Sequence, residues 1–148
     1  IIDRVQTFIP PKGRCEVKNN GKITIIDDTY NANLESTMAA IDYLKAFSGN
    51  GQRIFVFGDM LELGDSSIAQ HQTIGNKCND SEINAILTIG TETIATDGAL
   101  LDVDFHRHFK NKDNLLKSLN KIVKDGDKVL VKGSRGMRME TIVEAMLS

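Results

Sequence analysis

Short apolar segments and amphipathic segments alternate through most of this 148-residue chain. Apolar segments rich in β-branched residues are typical of buried strands, whereas apolar residues spaced three and four apart indicate helices. The two kinds of segment alternate about five times after residue 22. Because consecutive parallel strands must be joined by a crossover, usually a helix, this order predicts a mostly parallel sheet with helices on both faces and right-handed connections.

The predicted fold class is therefore α/β, with a Rossmann-like, mostly parallel sheet and an N-terminal β-hairpin that supplies an edge strand. The hairpin joins residues 14–18 to residues 22–27 through the turn sequence Asn19-Asn20-Gly21. Further strands are predicted at residues 53–57, 84–89, 103–105 and 128–132. Helices are predicted at residues 35–47, 66–78, 91–101, 111–124 and 137–147. Residues 1–11, which contain both prolines, are predicted to be a linker.

Composition argues against several classes of function. The chain has 18 basic and 20 acidic residues, so its charge gives no reason to expect a nucleic-acid partner. We expect neither membrane insertion nor a signal peptide, because no apolar segment is long enough to span a bilayer. Cys15 and Cys78 are predicted to be idle thiols in a reducing cytoplasm. His71, His106 and His108 have no metal-ligand spacing, so they are predicted to lie on the surface and no metal site is expected.

Polar residues gather where the predicted parallel strands end. In an open α/β sheet these carboxyl ends share one edge, here called the carboxyl edge, and ligands bind there. The residues placed at it are carboxylates, amides, hydroxyls, two cations and one glycine: Asp27, Asp28, Tyr30, Asn31, Asn33, Asp59, Glu62, Gly90, Thr91, Lys132, Ser134 and Arg135. Helix N-termini at the same edge would add backbone N–H groups that suit anions. Together these groups predict a site for a zwitterion, a nucleotide ribose or a phosphate.

Each of these residues also has a purely structural interpretation. Asp27 and Asp28 could cap a helix or a turn, Asn33 suits a helix N-cap, and residues 133–136 could be an ordinary helix entry. The occurrence of all of them on one edge favours a ligand site.

Three motifs resemble the C-terminal domain of the Mur ligases. They are Asp-Asp-Thr-Tyr-Asn-Ala-Asn at 27–33, Gly-Asp-Met-Leu-Glu-Leu-Gly at 58–64, and Lys-Gly-Ser-Arg-Gly-Met-Arg-Met-Glu at 132–140. Their order and spacing fit the family, and the resemblance covers essentially the whole chain. Within the family they are most similar to the members that add D-alanyl-D-alanine. Leu34 stands where the family usually has proline, which removes a rigid helix-start residue.

The resemblance implies a domain at residues 12–148 that receives the amino substrate, linked through residues 1–11 to a central ATPase domain outside this chain. It implies an ATP-dependent ligase of bacterial peptidoglycan synthesis, cytoplasmic and monomeric, with two further domains. The substrates would be UDP-N-acetylmuramoyl-tripeptide and D-Ala-D-Ala, joined through an acyl phosphate. ATP and Mg²⁺ would be held mainly by the central domain, so this chain alone is expected to be inactive.

The resemblance also suggests roles for individual residues, with no catalytic residue in this domain. Arg14, Asp28 and Asn31 are expected to bind ATP, with Asp28 on the ribose hydroxyls. The cleft for D-Ala-D-Ala is expected to involve five further residues: Asn33, Asp59, Lys132, Ser134 and Arg135. An aspartate would suit the dipeptide ammonium, and serine with arginine would suit its carboxylate.

Three other interpretations are weaker. A signalling receiver domain also has paired aspartates after its first strand, but here the third parallel strand ends Thr88-Ile89-Gly90 without an acceptor aspartate. A free-standing dinucleotide-binding module would need a G-x-G-x-x-G sequence after its first strand. A folylpolyglutamate-type or cyanophycin-type ligase would share the chemistry with another amino substrate, and the first and third motifs argue against it.

Overall fold

The computed structural model describes residues 13–148, so the predicted linker over residues 1–11 lies outside the described residues. One six-stranded sheet contains β1 (Glu16–Asn19), β2 (Thr24–Asp28), β3 (Arg53–Gly58), β4 (Ala85–Ile89), β5 (Phe105–Phe109) and β6 (Lys128–Lys132). The strand order is β1-β2-β6-β3-β4-β5. β1 pairs antiparallel with β2, and all other pairs are parallel. The predicted fold class and N-terminal hairpin are therefore confirmed.

The helices are α1 (Leu34–Ala46), α2 (Ser67–Asn79), α3 (Ile94–Gly98), α4 (Lys112–Ile122) and α5 (Glu140–Leu147). Buried side chains of α1 and α2 pack on one face of the sheet, and those of α4 and α5 pack on the other. The central strand β6 is buried on both faces, which explains its unbroken apolar sequence between two lysines. Each fully buried aliphatic side chain in such a core contributes about 1.5–3 kcal/mol.

The helix that follows β6 lies on the face opposite the helices that follow its neighbours β2 and β3. The connections therefore diverge on either side of β6. In open α/β sheets, a crevice forms at the carboxyl ends of strands whose connections diverge. This topology places the ends of β2 and β6 at the centre of the candidate site.

The N-cap predicted for α1 is confirmed, and the helix begins at Leu34, one residue before its predicted start. Asn33 is its N-cap: the Asn33 side-chain oxygen accepts the Ser36 N–H at 2.8 Å, and the Ser36 hydroxyl accepts the Asn33 N–H at 3.1 Å. This reciprocal capping box fixes the helix start without a proline at Leu34.

Three element predictions were wrong by three or more residues at one or both ends. α3 spans only Ile94–Gly98, and the three backbone N–H groups that precede it, those of residues 91–93, donate to the Asp59 side chain. β5 spans Phe105–Phe109 rather than residues 103–105, and the sequence pattern missed most of it because an edge strand with His and Arg lacks the apolar run of its neighbours. α5 begins at Glu140 rather than at residue 137, because Arg138 adopts a left-handed φ of 52° after a 3₁₀ turn.

Within residues 13–148, no helix combines the length and the apolar character needed to cross a bilayer.

Candidate functional site

A buried ion pair joins the carboxyl ends of β2 and β6. Asp28 and Lys132 are register partners on these parallel strands. The Lys132 ammonium donates to the Asp28 carboxylate at 2.7 Å and to the Asn31 carbonyl at 3.0 Å. Because both side chains are almost fully removed from water, each charge depends on the other. The pair also fixes the loop that leads from β2 into α1.

The segment that precedes β1 closes over this ion pair. The other oxygen of Asp28 accepts the Cys15 N–H at 3.1 Å. Gly13, at φ 80°, accepts the Tyr30 N–H through its carbonyl at 2.7 Å, and a Cβ at position 13 would lie 3.1 Å from the Tyr30 nitrogen. A glycine is therefore needed for this close approach. The approach places the Arg14 guanidinium 4.0 Å from the centroid of the Tyr30 ring.

The Cys15 thiol lies beside Asp28 and is half-buried. Burial, together with the nearby Asp28 carboxylate, raises its pKa from 9.0 to about 11. The thiol is therefore protonated at neutral pH and is a poor nucleophile there.

An open cavity of about 570 Å³, here called the Asp28 cavity, lies between these elements and the first turns of α1. It brings together all three residues predicted to bind ATP, and two of the five predicted for the dipeptide. Its walls are Arg14, Cys15, Asp28, Tyr30, Asn31, Asn33, Ser36, Ala39, Ala40, Tyr43 and Lys132. Carboxylate, amide and guanidinium groups thus face the same space as two exposed tyrosine side chains. Such a mixture suits a ligand that has a flat ring and several hydroxyl or phosphate oxygens.

Neither tyrosine is among the residues predicted to bind ATP or the dipeptide. Tyr30 belongs to the first motif and is one of the residues placed at the carboxyl edge, whereas the helical pattern of residues 35–47 accounts for Tyr43. Both are more than 40% exposed, which is unusual for aromatic side chains beside a core. Their positions in the chain gave no sign that they share a cavity.

Asp59 has a different environment from Asp28. Its carboxylate accepts the backbone N–H groups of Thr91, Glu92 and Thr93 at 3.0, 3.1 and 2.9 Å, and the residue is 3% exposed. Gly90, at φ 119°, makes room for it, since a Cβ there would clash with an Asp59 oxygen. Asp59 therefore stabilises the loop between β4 and α3. An ammonium ligand could reach it only by displacing these bonds.

Ser134 and Arg135 follow β6 but do not reach the Asp28 cavity. Ser134 is buried, and its hydroxyl accepts the Leu61 N–H at 2.7 Å and donates weakly to the Ala32 carbonyl at 3.4 Å. The Arg135 side chain is exposed and lies 3.8 Å from Glu140. It lines a second cavity of about 490 Å³ on the other side of Tyr30, together with Lys18. The five residues predicted for the dipeptide are therefore divided among several surroundings.

The three histidines were predicted to lie on the surface, and for His71 this is wrong. His71 is fully buried, and its Nε2 accepts the Met60 N–H at 3.0 Å. Its Nδ1 lies 2.8 Å from the Ser67 carbonyl oxygen. Both ring nitrogens are satisfied, which is why the imidazole is stable away from water. The sequence offered no metal spacing to mark this residue, and its partners come from a loop and a helix.

Among residues 13–148, no group of three or more His, Cys, Asp or Glu side chains could hold a metal ion. Asp28 is paired with Lys132, and the Asp59 carboxylate is filled by backbone N–H groups. The described residues therefore fit the ribose and the phosphates of a nucleotide better than a Mg²⁺ ion.

A mostly parallel sheet with a polar and aromatic cavity at its carboxyl edge defines a Rossmann-like ligand-binding domain. The chain belongs to the Mur ligase family, because residues 13–135 match the family described as "Mur ligase, glutamate ligase domain". The family predicted from the three motifs is thereby confirmed.

Relatives and solved structures support this assignment. The chain is 41% identical over 139 residues to a UDP-N-acetylmuramoyl-tripeptide–D-alanyl-D-alanine ligase from Buchnera aphidicola, covering 92% of this chain and 29% of the relative. It is 34% identical over 134 residues to the Bacillus subtilis protein of the same name, covering 88% of this chain and 29% of the relative. The crystal structure of the MurF ligase from Thermotoga maritima in complex with ADP matches with a TM-score of 0.83 and 28% identity, covering 99% of this chain and 33% of that one. The chain thus spans about a third of the length of these proteins.

Proposed function

We propose that this chain is the C-terminal domain of an ATP-dependent ligase that joins D-Ala-D-Ala to UDP-N-acetylmuramoyl-tripeptide. The names of the relatives support the substrates, and the ADP complex of the structural neighbour supports the nucleotide. The observation that carries the proposal in this chain is the Asp28 cavity, where the predicted ATP residues meet at the point of diverging connections. We further propose that the central ATPase domain holds Mg²⁺, and that the enzyme works in the bacterial cytoplasm as a monomer.

ATP would supply the phosphoryl group that converts the tripeptide carboxylate into an acyl phosphate. The dipeptide amine would then attack the acyl carbon, lose a proton and expel phosphate. The role of this domain is to bind and align the nucleotide and the amine, and to exclude water while they react. Closure of a hinged domain over the central domain would meet both needs.

Within the Asp28 cavity, Asp28 is the proposed partner of the ribose hydroxyls. Its two oxygens accept bonds from Cys15 and Lys132, and a carboxylate has further lone pairs for hydroxyl donors. Arg14 is exposed beside Tyr30 and suits a phosphate oxygen, and Asn31 lines the same wall. Asn33 and Lys132 line the same cavity. Because Asn33 caps α1 and Lys132 pairs with Asp28, we propose that they hold the cavity walls in place.

For the dipeptide we retain Ser134 and Arg135. Arg135 is exposed, and its guanidinium can bind a carboxylate with two parallel bonds. The Ser134 hydroxyl makes only a long hydrogen bond, 3.4 Å from Oγ to the Ala32 carbonyl oxygen, so its O–H can turn towards a ligand carboxylate.

The proposal is tested by ATP-dependent phosphate release from the full-length protein, supplied with UDP-N-acetylmuramoyl-tripeptide. D-Ala-D-Ala, L-Ala-L-Ala and single D-alanine are compared as amine substrates, and an Asp28→Asn variant is the control. Release that requires D-Ala-D-Ala and falls in the variant supports the proposal. Equal release with another amine would refute the substrate, and release unchanged by Asp28→Asn would refute the nucleotide site. The isolated chain is expected to release no phosphate.

A further inference from the structure

His71 lies at the centre of a set of hydrogen bonds that the proposed chemistry does not use. Besides the Met60 N–H and the Ser67 carbonyl, its surroundings include the Ser67 hydroxyl, 3.2 Å from Nδ1, and the ring of Phe57 at 6.0 Å. The Ser67 hydroxyl in turn donates to Glu92 at 2.6 Å. The imidazole therefore lies between α2 and the loop of residues 59–63, here called the Asp59 loop.

The partners of His71 fix its tautomer. A backbone N–H can only donate, so the Nε2 that faces Met60 carries no proton. The ring proton therefore lies on Nδ1, where the Ser67 carbonyl accepts it at 2.8 Å. Only this neutral form satisfies both contacts.

The residues on either side of Met60 both hold Ser134. The Asp59 carbonyl accepts the Ser134 N–H at 2.9 Å, and the Leu61 N–H donates to the Ser134 hydroxyl at 2.7 Å. Asp59 is also anchored by its carboxylate to the loop that precedes α3. The amide of Met60, which lies between the two Ser134 contacts, is held by His71 alone among the side chains of the described residues. Loss of that bond would free the middle of the Asp59 loop to turn and would shift the Ser134 hydroxyl.

We propose that His71 is a positioning residue for the amino substrate, because its unprotonated Nε2 holds the Met60 amide and thereby sets the position of the Ser134 hydroxyl. This inference rests on the proposed function, in which Ser134 meets the dipeptide carboxylate. His71 itself does not touch a substrate. Its effect reaches the site through the Asp59 loop, so it should act on the dipeptide and not on the nucleotide in the Asp28 cavity.

A matched pair of variants in the full-length protein tests this. Gln at position 71 can present an oxygen near the place of Nε2, whereas Leu fills similar space without an acceptor. His71→Leu is expected to raise the KM for D-Ala-D-Ala roughly tenfold, since small misplacements of a positioning group are costly. His71→Gln should remain within about threefold of the parent, and the KM for ATP should stay within about twofold in both. Equal dipeptide KM values in parent and His71→Leu would overturn the inference, even if the melting temperature falls.

A double variant tests whether His71 acts through Ser134. Ser134→Ala should raise the dipeptide KM by itself, and adding His71→Leu should raise it no further, because coupled residues are not additive. Independent, multiplying effects would contradict the proposed route.

A third measurement does not depend on ligation. Nitrogen-15 NMR of the parent should show His71 protonated on Nδ1, and amide exchange at Leu61 should be faster in His71→Leu than in His71→Gln. A proton on Nε2, or equal exchange in the two variants, would overturn the inference. If no amine supports ligation, the proposed function fails, and this measurement still decides whether His71 holds the loop.

Discussion

Asp28 and Asp59 look alike in the sequence and differ in the structure. Each lies at the carboxyl end of an apolar strand, Asp28 as the last residue of β2 and Asp59 directly after β3, and each is buried. Asp28 is held by one backbone N–H and the Lys132 ammonium, and it faces the Asp28 cavity. Asp59 is held by three backbone N–H groups and braces a loop. From this comparison we infer that a position at a strand end selects candidate residues, whereas the surrounding donors determine whether a carboxylate remains available to a ligand.

The largest effect on stability is expected at Asp59. Asp59→Ala removes a charged acceptor from three buried or half-buried N–H groups, so we expect a loss of roughly 4 kcal/mol in the free energy of unfolding. Asp59→Asn keeps one acceptor oxygen and should lose about half as much. Urea unfolding measures both. A loss below about 1 kcal/mol in Asp59→Ala would show that the three bonds do not brace the loop.

The next effect concerns the ion pair at Asp28. Lys132→Met leaves a buried carboxylate without its cation and should cost about 3 kcal/mol. Adding Asp28→Asn should restore part of that loss, because the uncompensated charge is then removed. A double-mutant cycle by denaturant unfolding measures the coupling. Strictly additive losses would mean that the two charges are independent.

The sequence predicts where the two aspartates lie, but it does not predict which groups hold them. The strand-end motifs located both aspartates, and the N-cap at Asn33 followed from local pattern, because its partner Ser36 is three residues away. The three donors of Asp59 lie 32–34 residues further along the chain, and the Lys132 partner of Asp28 lies 104 residues away. The burial of His71 and the meeting of Tyr30 with Tyr43 depend on the same long-range packing. Such contacts are set by the tertiary fold, which composition and periodicity do not specify.

The reactivity of the Cys15 thiol tests the inferred surroundings of Asp28. Because the pKa of Cys15 is raised to about 11, its alkylation rate should keep rising as pH increases towards 11, where an ordinary thiol has already levelled off. A Cys78→Ser background leaves Cys15 as the only cysteine within residues 1–148, and mass spectrometry of the peptide that contains Cys15 follows its alkylation in the full-length protein. ADP should slow alkylation in the full-length protein if it occupies the Asp28 cavity. A rate that levels off near pH 9 would contradict the inferred surroundings of the thiol.

The smallest effect is expected at Asn33, which tests whether a third polar residue at this edge is a cap or a ligand contact. Asn33→Ala removes the side-chain acceptor of the capping box and should cost about 1 kcal/mol of stability. Asn33→Asp should retain most of it. Thermal unfolding gives the stability, and ADP titration should differ by less than about twofold between the two variants. A large loss of ADP affinity in Asn33→Ala would move this residue to the ligand contacts.

The proposal that the nucleotide binds in the Asp28 cavity is tested by comparing ADP binding to the full-length protein in the variants Asp28→Asn and Asp59→Asn. Calorimetric titration is made at a temperature where circular dichroism shows both variants to be folded. We expect Asp28→Asn to weaken ADP binding roughly tenfold or more, and Asp59→Asn to change it by less than about twofold. Equal weakening in both variants, or weakening only in Asp59→Asn, would contradict the assignment of the nucleotide to the Asp28 cavity.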